Sequence, residues 1–269
     1  MGAGARICLG MDLQLSGKRA LVTGSTAGIG YAIAEALAKE GANVIVNGRT
    51  QERVDSALKK LIRPAEGLAA DLGTAEGARE AIRRFPEVDI LVNNVGIYEA
   101  KRFEEIRDED WLRLFDINVM SGVRLSRHYL PRMKERGWGR IVFISSESAL
   151  QIPAEMIHYG MTKTAQLAIA RGLAETTVGT AVTVNAVLPG PTASEALGGF
   201  VAGVARQQGI KAEEVEREFF RKTRPTSLLQ RFARPEEVAA MVAFVCSPLS
   251  SATNGAALRV DGGVVRAIV

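Results

Sequence analysis

One stretch constrains this chain more than any other: Thr23-Gly24-Ser25-Thr26-Ala27-Gly28-Ile29-Gly30. The apolar run Arg19 to Thr23 before it reads as a buried strand. An alanine-rich amphipathic pattern follows to Glu40 and stops at Gly41, a C-cap position. Asn43 to Asn47 reads as a second strand. Together these form a βαβ unit that opens with three glycines at its strand-to-helix turn. Gly24 permits the sharp turn, Gly28 lets a phosphate approach the backbone, and Gly30 lets the helix pack closely on the strand. The unpaired N–H groups of the helix N-terminus then face an anion. The spacing is G-x-x-x-G-x-G and not the general G-x-G-x-x-G. A tight turn is the plainer alternative, but the strand before and the helix after favour a nucleotide.

The alternation continues down the chain. Helical patterns span 51–62, 74–84, 108–136, 156–175 and 235–246; strands span 66–70, 88–92, 140–145, 181–187 and 257–260. Thr74 is placed to cap its helix, Pro131 to bend the long one, and Pro235 to open the last. Strands alternating with helices predict an α/β fold: a doubly wound, Rossmann-like parallel sheet of about seven strands, helices on both faces. We read residues 1–14 as a flexible leader, with Met11 a second candidate start, and 15–269 as a single domain.

Composition narrows the function. The 269 residues are 47% hydrophobic and 24% charged, which suits a globular protein with a large core. The net charge of +4 is spread along the chain, and basic pairs such as Lys59-Lys60 and Arg83-Arg84 fall on helical faces, so nothing calls for nucleic acid. Two cysteines argue against a disulfide framework, and two histidines form no metal-ligand spacing. No apolar run approaches a membrane span. The leader is too short for a secretory signal, and Arg6 stands where a myristoylation site needs Ser or Thr. A cytoplasmic protein is the default.

In open sheets of this kind ligands bind beyond the carboxyl ends of the strands. There the chain places the glycine cluster, then Arg49, Asp71-Leu72, Asn93-Asn94, Ser145-Ser146 and Pro189-Gly190. Each also reads as turn chemistry. Inside the 156–175 helix, Tyr159 and Lys163 lie one turn apart on one face. An ammonium there favours a phenolate. Moving a tyrosine from its usual pKa of about 10 to neutrality takes about 4 kcal/mol, within reach of one lysine in a partly desolvated site helped by a cationic cofactor ring.

Several motifs now coincide in order and spacing: Thr-Gly-x-x-x-Gly-x-Gly at 23–30, Asn-Asn-x-Gly at 93–96, Asn118 in the fourth helix, Ser146 thirteen residues before Tyr159, Tyr-x-x-x-Lys, and Pro-Gly at 189–190. From 15 to 263 the sequence resembles the short-chain dehydrogenase/reductases of compact type. The resemblance implies an oxidoreductase that moves a hydride between a nicotinamide and a ketone or secondary alcohol. A dinucleotide-binding sensor or scaffold without turnover is the alternative.

The resemblance assigns roles. Tyr159 would be the general acid or base and Ser146 would hold the substrate oxygen, with Ser145 the competing candidate. Lys163 would lower the tyrosine pKa and bind ribose hydroxyls, and Asn118 would hold a relay water near Lys163. Asn93 would tie strands together. Gly24, Thr26, Gly28, Ile29, Gly30, Arg49, Asp71, Leu72, Asn94, Gly96, Pro189, Gly190 and Thr192 would meet the cofactor, along with Tyr159 and Lys163. Asn94 and Gly96 would border its adenosine side, and Thr192 its amide. Val95 departs from the usual Ala. Glu147, Glu155 and His158 read as solvated, with a rim that reads a polar substrate as the alternative; His158 is given no catalytic role.

Gly48 stands where NAD-preferring members carry an acid, and Arg49 follows it. That combination favours NADP(H), with NAD(H) as the alternative. Members of the family commonly form tetramers, so a homo-tetramer is expected. The stretch 191–233 is long for a connection. Leu197, Phe200, Val201 and Val204 form one apolar helical face; Ala212, Val215 and Phe219 form another. We expect a two-helix lid over a substrate with an apolar body; an oligomer contact or a permanent part of the core is the alternative.

Overall fold

The structure is a computed structural model and describes residues 11–268, with the backbone alone at Glu195, Ala196, Leu197, Phe200 and Gln208. Most of the expected leader therefore lies outside the described residues.

Seven strands form one parallel sheet in the order β3-β2-β1-β4-β5-β6-β7. They are β1 Arg19–Val22, β2 Asn43–Gly48, β3 Glu66–Ala69, β4 Ile90–Asn93, β5 Gly139–Ile144, β6 Val182–Pro189 and β7 Ala257–Val260. The helices are α1 Gly28–Lys39, α2 Gln51–Lys60, α3 Ala75–Arg84, α4 Asp108–Phe115, α5 Ser121–Glu135, α6 Ile157–Glu175, α7 Glu195–Gln208, α8 Ala212–Lys222 and α9 Pro235–Cys246. The Rossmann-like expectation holds. Among the described residues no helix is long and apolar enough to cross a membrane.

The strands read as continuous apolar runs because both faces of the sheet are covered. Ala20, Val22, Val44, Val46, Ile90, Val92 and Val142 point into one core layer beneath α1 and α9. Their neighbours Leu21, Ile45, Leu91, Ile141 and Phe143 point into the other, where α3, α5 and α6 lie. Period-two alternation thus serves two cores at once. The strand order reverses between β1 and β4, the switch point beyond whose strand ends sheets of this kind bind ligands in a crevice.

The long helix expected over 108–136 is not one regular helix. Between α4 and α5, residues Asp116–Met120 form a wider π-helical turn. Such turns are rare and recur at functional sites. This one carries Asn118. Pro131 stands inside α5, which continues to Glu135.

Candidate active site

The glycine turn is held from behind. Asn47, inside β2, accepts the Gly24 amide at 2.9 Å and donates to the carbonyls of Leu68 and Ala70 at 3.1 and 3.0 Å. Thr23 Oγ1 accepts the amides of Asn94 and Val95, and Asn94 Nδ2 donates to the Thr23 and Gly24 carbonyls. Gly28 has φ +56, and a Cβ there would meet only Ser194, at 3.8 Å. At Gly30 a Cβ would stand 2.4 Å from the Gly24 carbonyl oxygen. The two glycines therefore do different work: one leaves room for a ligand, the other permits close packing.

The N-terminus of α1 differs from its neighbours. Thr50 and Thr74 cap α2 and α3 with side-chain oxygens, whereas Ala27 at the head of α1 has none to offer. Among the described residues no side-chain cap meets the first amides of α1 beside Gly28. Arg49 is exposed at the end of β2. Gly48 is tightly set, since a Cβ there would stand 2.5 Å from Thr26. This edge fits a dinucleotide: an uncapped helix for the phosphates, with a guanidinium on the strand beside it.

Further along the edge, Asp71 is exposed and accepts the Gly73 amide at 3.0 Å. The Leu72 side chain is buried in the core, so only its main chain is left for a cofactor. At Gly96 a Cβ would meet Lys163 Nζ at 3.4 Å and Asn118 Oδ1 at 3.5 Å, which puts it at the lysine end of the edge. Asn93 pairs with Phe143 in the β4–β5 ladder, and its side chain ties β4 to α5 through Ser126 at 3.3 Å. Pro189 ends β6, and Gly190 packs against the Asp261 carbonyl, where a Cβ would approach to 2.5 Å. Thr192 Oγ1 donates to the Gly190 carbonyl at 2.9 Å.

At the centre of the crevice the four residues singled out by spacing converge. Ile97 donates its amide to Asn118 Oδ1 at 2.8 Å; Asn118 Nδ2 donates to the Ile97 carbonyl at 2.9 Å and to Thr162 Oγ1 at 3.0 Å. Lys163 is buried, and its Nζ lies 5.7 Å from the Tyr159 ring centroid. It donates to the Ile144 carbonyl at 2.9 Å and to Gln166 Oε1 at 3.3 Å. Gln166 Nε2 in turn donates to the Asn118 carbonyl at 2.6 Å. The Gln166 side chain thus bridges Lys163 and the Asn118 main chain. The two serines separate cleanly. Ser145 donates to the Lys163 carbonyl at 2.9 Å and anchors α6, while Ser146 turns toward Glu147 at 2.5 Å.

The electrostatics are those of a desolvated site. Burial holds the Lys163 ammonium down to about 8. Burial pushes the Tyr159 phenol above its ordinary value, and Glu147 adds to this, while the Arg224 charge opposes it. Burial is the largest of these influences on Tyr159.

Two residues read as solvated are not. Glu147 is buried and takes Arg224 Nε at 3.2 Å; Arg224 Nη1 also lies 3.6 Å from Glu155. His158 is fully buried with its ring edge-on to Trp111 at 5.8 Å, and burial lowers its pKa. Glu155 remains half exposed. Asn47, Gln166 and Arg224 were missed by the sequence reading. In one sequence each looks like an ordinary strand, helix or loop residue.

Fold and site together define a class. The chain belongs to the short-chain dehydrogenase/reductase family: the family model described as enoyl-(acyl carrier protein) reductase matches residues 24–265. The chain is 51% identical over 263 residues to the uncharacterized oxidoreductase YvaG of Bacillus subtilis (strain 168), spanning 96% of this chain and 100% of that protein. It is 35% identical over 261 residues to a D-beta-hydroxybutyrate dehydrogenase of Cupriavidus necator, spanning 94% and 99%. Among solved structures, L-sorbose reductase from Gluconobacter frateurii, complexed with NADPH and L-sorbose, superposes with a TM-score of 0.90 at 32% identity, covering 96% of this chain and all of that one.

Proposed function

We propose that this chain is an NADP(H)-preferring oxidoreductase that interconverts a ketone and a secondary alcohol, with Tyr159, Ser146, Lys163 and Asn118 as its working residues. The convergence of these four beside the uncapped α1 terminus carries the reading. A dinucleotide on this edge supplies or accepts the hydride. The protein's own contribution is position and proton transfer. Tyr159 gives its proton to the carbonyl oxygen in reduction and takes one from the alcohol in oxidation. Ser146 holds that oxygen near the phenol. Lys163 orients ribose hydroxyls and places positive charge where the phenolate forms. Asn118 pins the loop at Ile97 to α6 and so fixes the distance between lysine and cofactor edge.

Arg49 offers a charge-assisted contact to a 2′-phosphate, and Gly48 brings no carboxylate to repel one. Helices α7 and α8 form a lid over the crevice. The enzyme acts in the cytoplasm as a homo-tetramer built through α4, α5, α6 and the β7 region. Leu112 and Phe115, exposed on α4, suit such an interface, and a monomeric mass in light scattering would refute it. The reaction itself is tested by absorbance at the nicotinamide band with NADPH and NADH against a panel of ketones and alcohols. Turnover with NADPH supports the reading. Tight nucleotide binding with no turnover of any carbonyl or alcohol overturns it.

A further inference from the structure

Glu147 is a buried charged group beside Ser146 that this mechanism does not use. Its side chain is 5% exposed, and both carboxylate oxygens are engaged. One lies 2.5 Å from Ser146 Oγ; the other accepts from Arg224 Nε at 3.2 Å. A carboxylate only accepts hydrogen bonds, and a serine hydroxyl has a single hydrogen. That hydrogen therefore points at Glu147. The same Oγ also accepts the Ser148 amide at 3.1 Å. Ser146 then has no hydrogen left for a carbonyl oxygen, which is what the reduction asks of it.

Ser146 can turn to a substrate carbonyl only if Glu147 receives another hydrogen in exchange. Arg224 carries five N–H donors, yet none is found on the oxygen that holds Ser146. Its Nε is on the far carboxylate oxygen, and its Nη1 donates to the Thr223 carbonyl at 2.9 Å beside Glu155. Arg224 fixes Glu147 in place without relieving Ser146. An apolar ketone brings no hydrogen either, and it would leave a buried carboxylate with one partner fewer. A hydroxyl on the carbon next to the reacting one does bring it. Oxygens on adjacent carbons lie about one hydrogen-bond length apart, so one reaches Ser146 while the other reaches Glu147.

We propose that the substrate is an α-hydroxyketone, or the matching vicinal diol in the reverse direction, whose neighbouring hydroxyl donates to Glu147 and releases the Ser146 hydrogen to the carbonyl. No covalent bond changes in this exchange; one hydrogen rotates from one acceptor to another. The inference rests on the role given to Ser146 above. It also refines the apolar-bodied substrate expected from the lid: the corner nearest the chemistry is charged. An acidic group there would meet Glu147 and Glu155, so the recognised neighbour is a neutral hydroxyl.

The test is steady-state kinetics of the purified full chain with NADPH and NADH on ketone pairs that exchange a hydroxyl for a methyl: hydroxyacetone against butanone, and acetoin against methyl isopropyl ketone. Wild type should favour the hydroxyketone of each pair by about 10- to 100-fold in kcat/KM, the range of a charge-assisted hydrogen bond. Glu147→Gln should shrink that preference to within about 3-fold, chiefly by raising activity on the methyl member, because Ser146 is no longer held by a charge. A merely structural role for Glu147 would lower both members alike, and that result overturns the proposal. Equal wild-type rates within each pair overturn it as well, without help from the variant, and leave the ketone reaction standing. No turnover of any carbonyl with either nucleotide would remove the underlying reaction and this proposal together.

Discussion

The crevice has two halves built on opposite principles. On the β1–β2 side the work is done by backbone and small side chains: Gly24, Gly28, Gly30, the uncapped start of α1, and the neutral braces Thr23, Asn47 and Asn94. On the β5–α6 side, buried polar groups crowd together: Ser146, Glu147 and Lys163 beside Tyr159, with Arg224 closing over them. The first half leaves charge to its ligand, so it folds at little electrostatic cost. The second holds its own charges out of water. Each needs a partner, because an unpaired buried charge costs several kcal/mol. The glycine half should therefore govern nucleotide affinity, and the polar half the rate and its pH dependence.

The largest effect should come from Tyr159→Phe. The ring and its edge-on contact with Tyr98, at 6.2 Å, can remain while the acid–base group is lost. We expect turnover to fall by about 100- to 10,000-fold with nucleotide affinity nearly unchanged. Near-wild-type turnover on a good substrate would break the division between the halves.

Gln166 sharpens the same comparison through pH. It accepts one of the two hydrogen bonds found from Lys163 Nζ. An acceptor stabilises the ammonium, so Gln166→Leu should drop the lysine further below about 8, the value to which burial already holds it. Reduction needs the protonated pair. Its alkaline limb should move to lower pH by about 1 unit, the size of one hydrogen bond to a charged group. Gln166→Glu places an anion beside the lysine and should move the limb the other way. Lower rates for both variants with an unmoved pH profile would mean that Gln166 only packs α6 against the π turn.

A smaller effect is expected on the nucleotide side. Arg49→Ala removes an exposed cation, and exposed charge contacts are modest. The ratio of kcat/KM for NADPH over NADH should fall about 10-fold, through KM and not kcat. An unchanged ratio would locate 2′-phosphate recognition elsewhere.

The two halves also differ in how much of them the sequence discloses. Glycine spacing, alternation of apolar runs and cap residues are local signals, so β1, α1, β2 and the cap at Thr74 can be read within a few residues of their observed bounds. Ser146, Tyr159 and Lys163 come from spacing along two elements that pack together, and they are legible through family resemblance. The rest depends on contacts between distant segments. Glu147 looks like a loop acid until Arg224, on the far side of α8, is folded against it. Gln166 looks like one more helix residue until the π turn delivers the Asn118 carbonyl to it. Gly96 belongs to the lysine end only because β4 lies mid-sheet, between β1 and β5. Periodicity reports which face of an element is buried, not against what.

The smallest and most local effect concerns the two helices expected to close over the crevice. They are not alike. In α8, Val215 and Phe220 are buried, and the rings of Phe219, Phe220 and Phe232 meet with centroids 5.1 Å apart. Glu216 also accepts the Phe232 amide at 2.7 Å. That helix is fastened to the segment leading into α9. For α7 the apolar face invoked from sequence includes Leu197 and Phe200, whose side chains lie outside the described residues. Val201 and Val204 on the same face are only half-buried, and at Gly198, Gly199 and Gly203 a Cβ would meet nothing within 4 Å. Among the described side chains of α7 little packing opposes local opening, whereas opening α8 must expose an aromatic cluster. If the pair is a lid, NADPH should slow amide exchange across 195–208 by about 10-fold and leave 212–222 nearly unchanged, since only a loosely held segment has protection to gain. Hydrogen exchange with and without the nucleotide reads this directly. Equal protection of 195–208 in both states would make α7 a fixed part of the wall, and the crevice would then close by no movement of these helices.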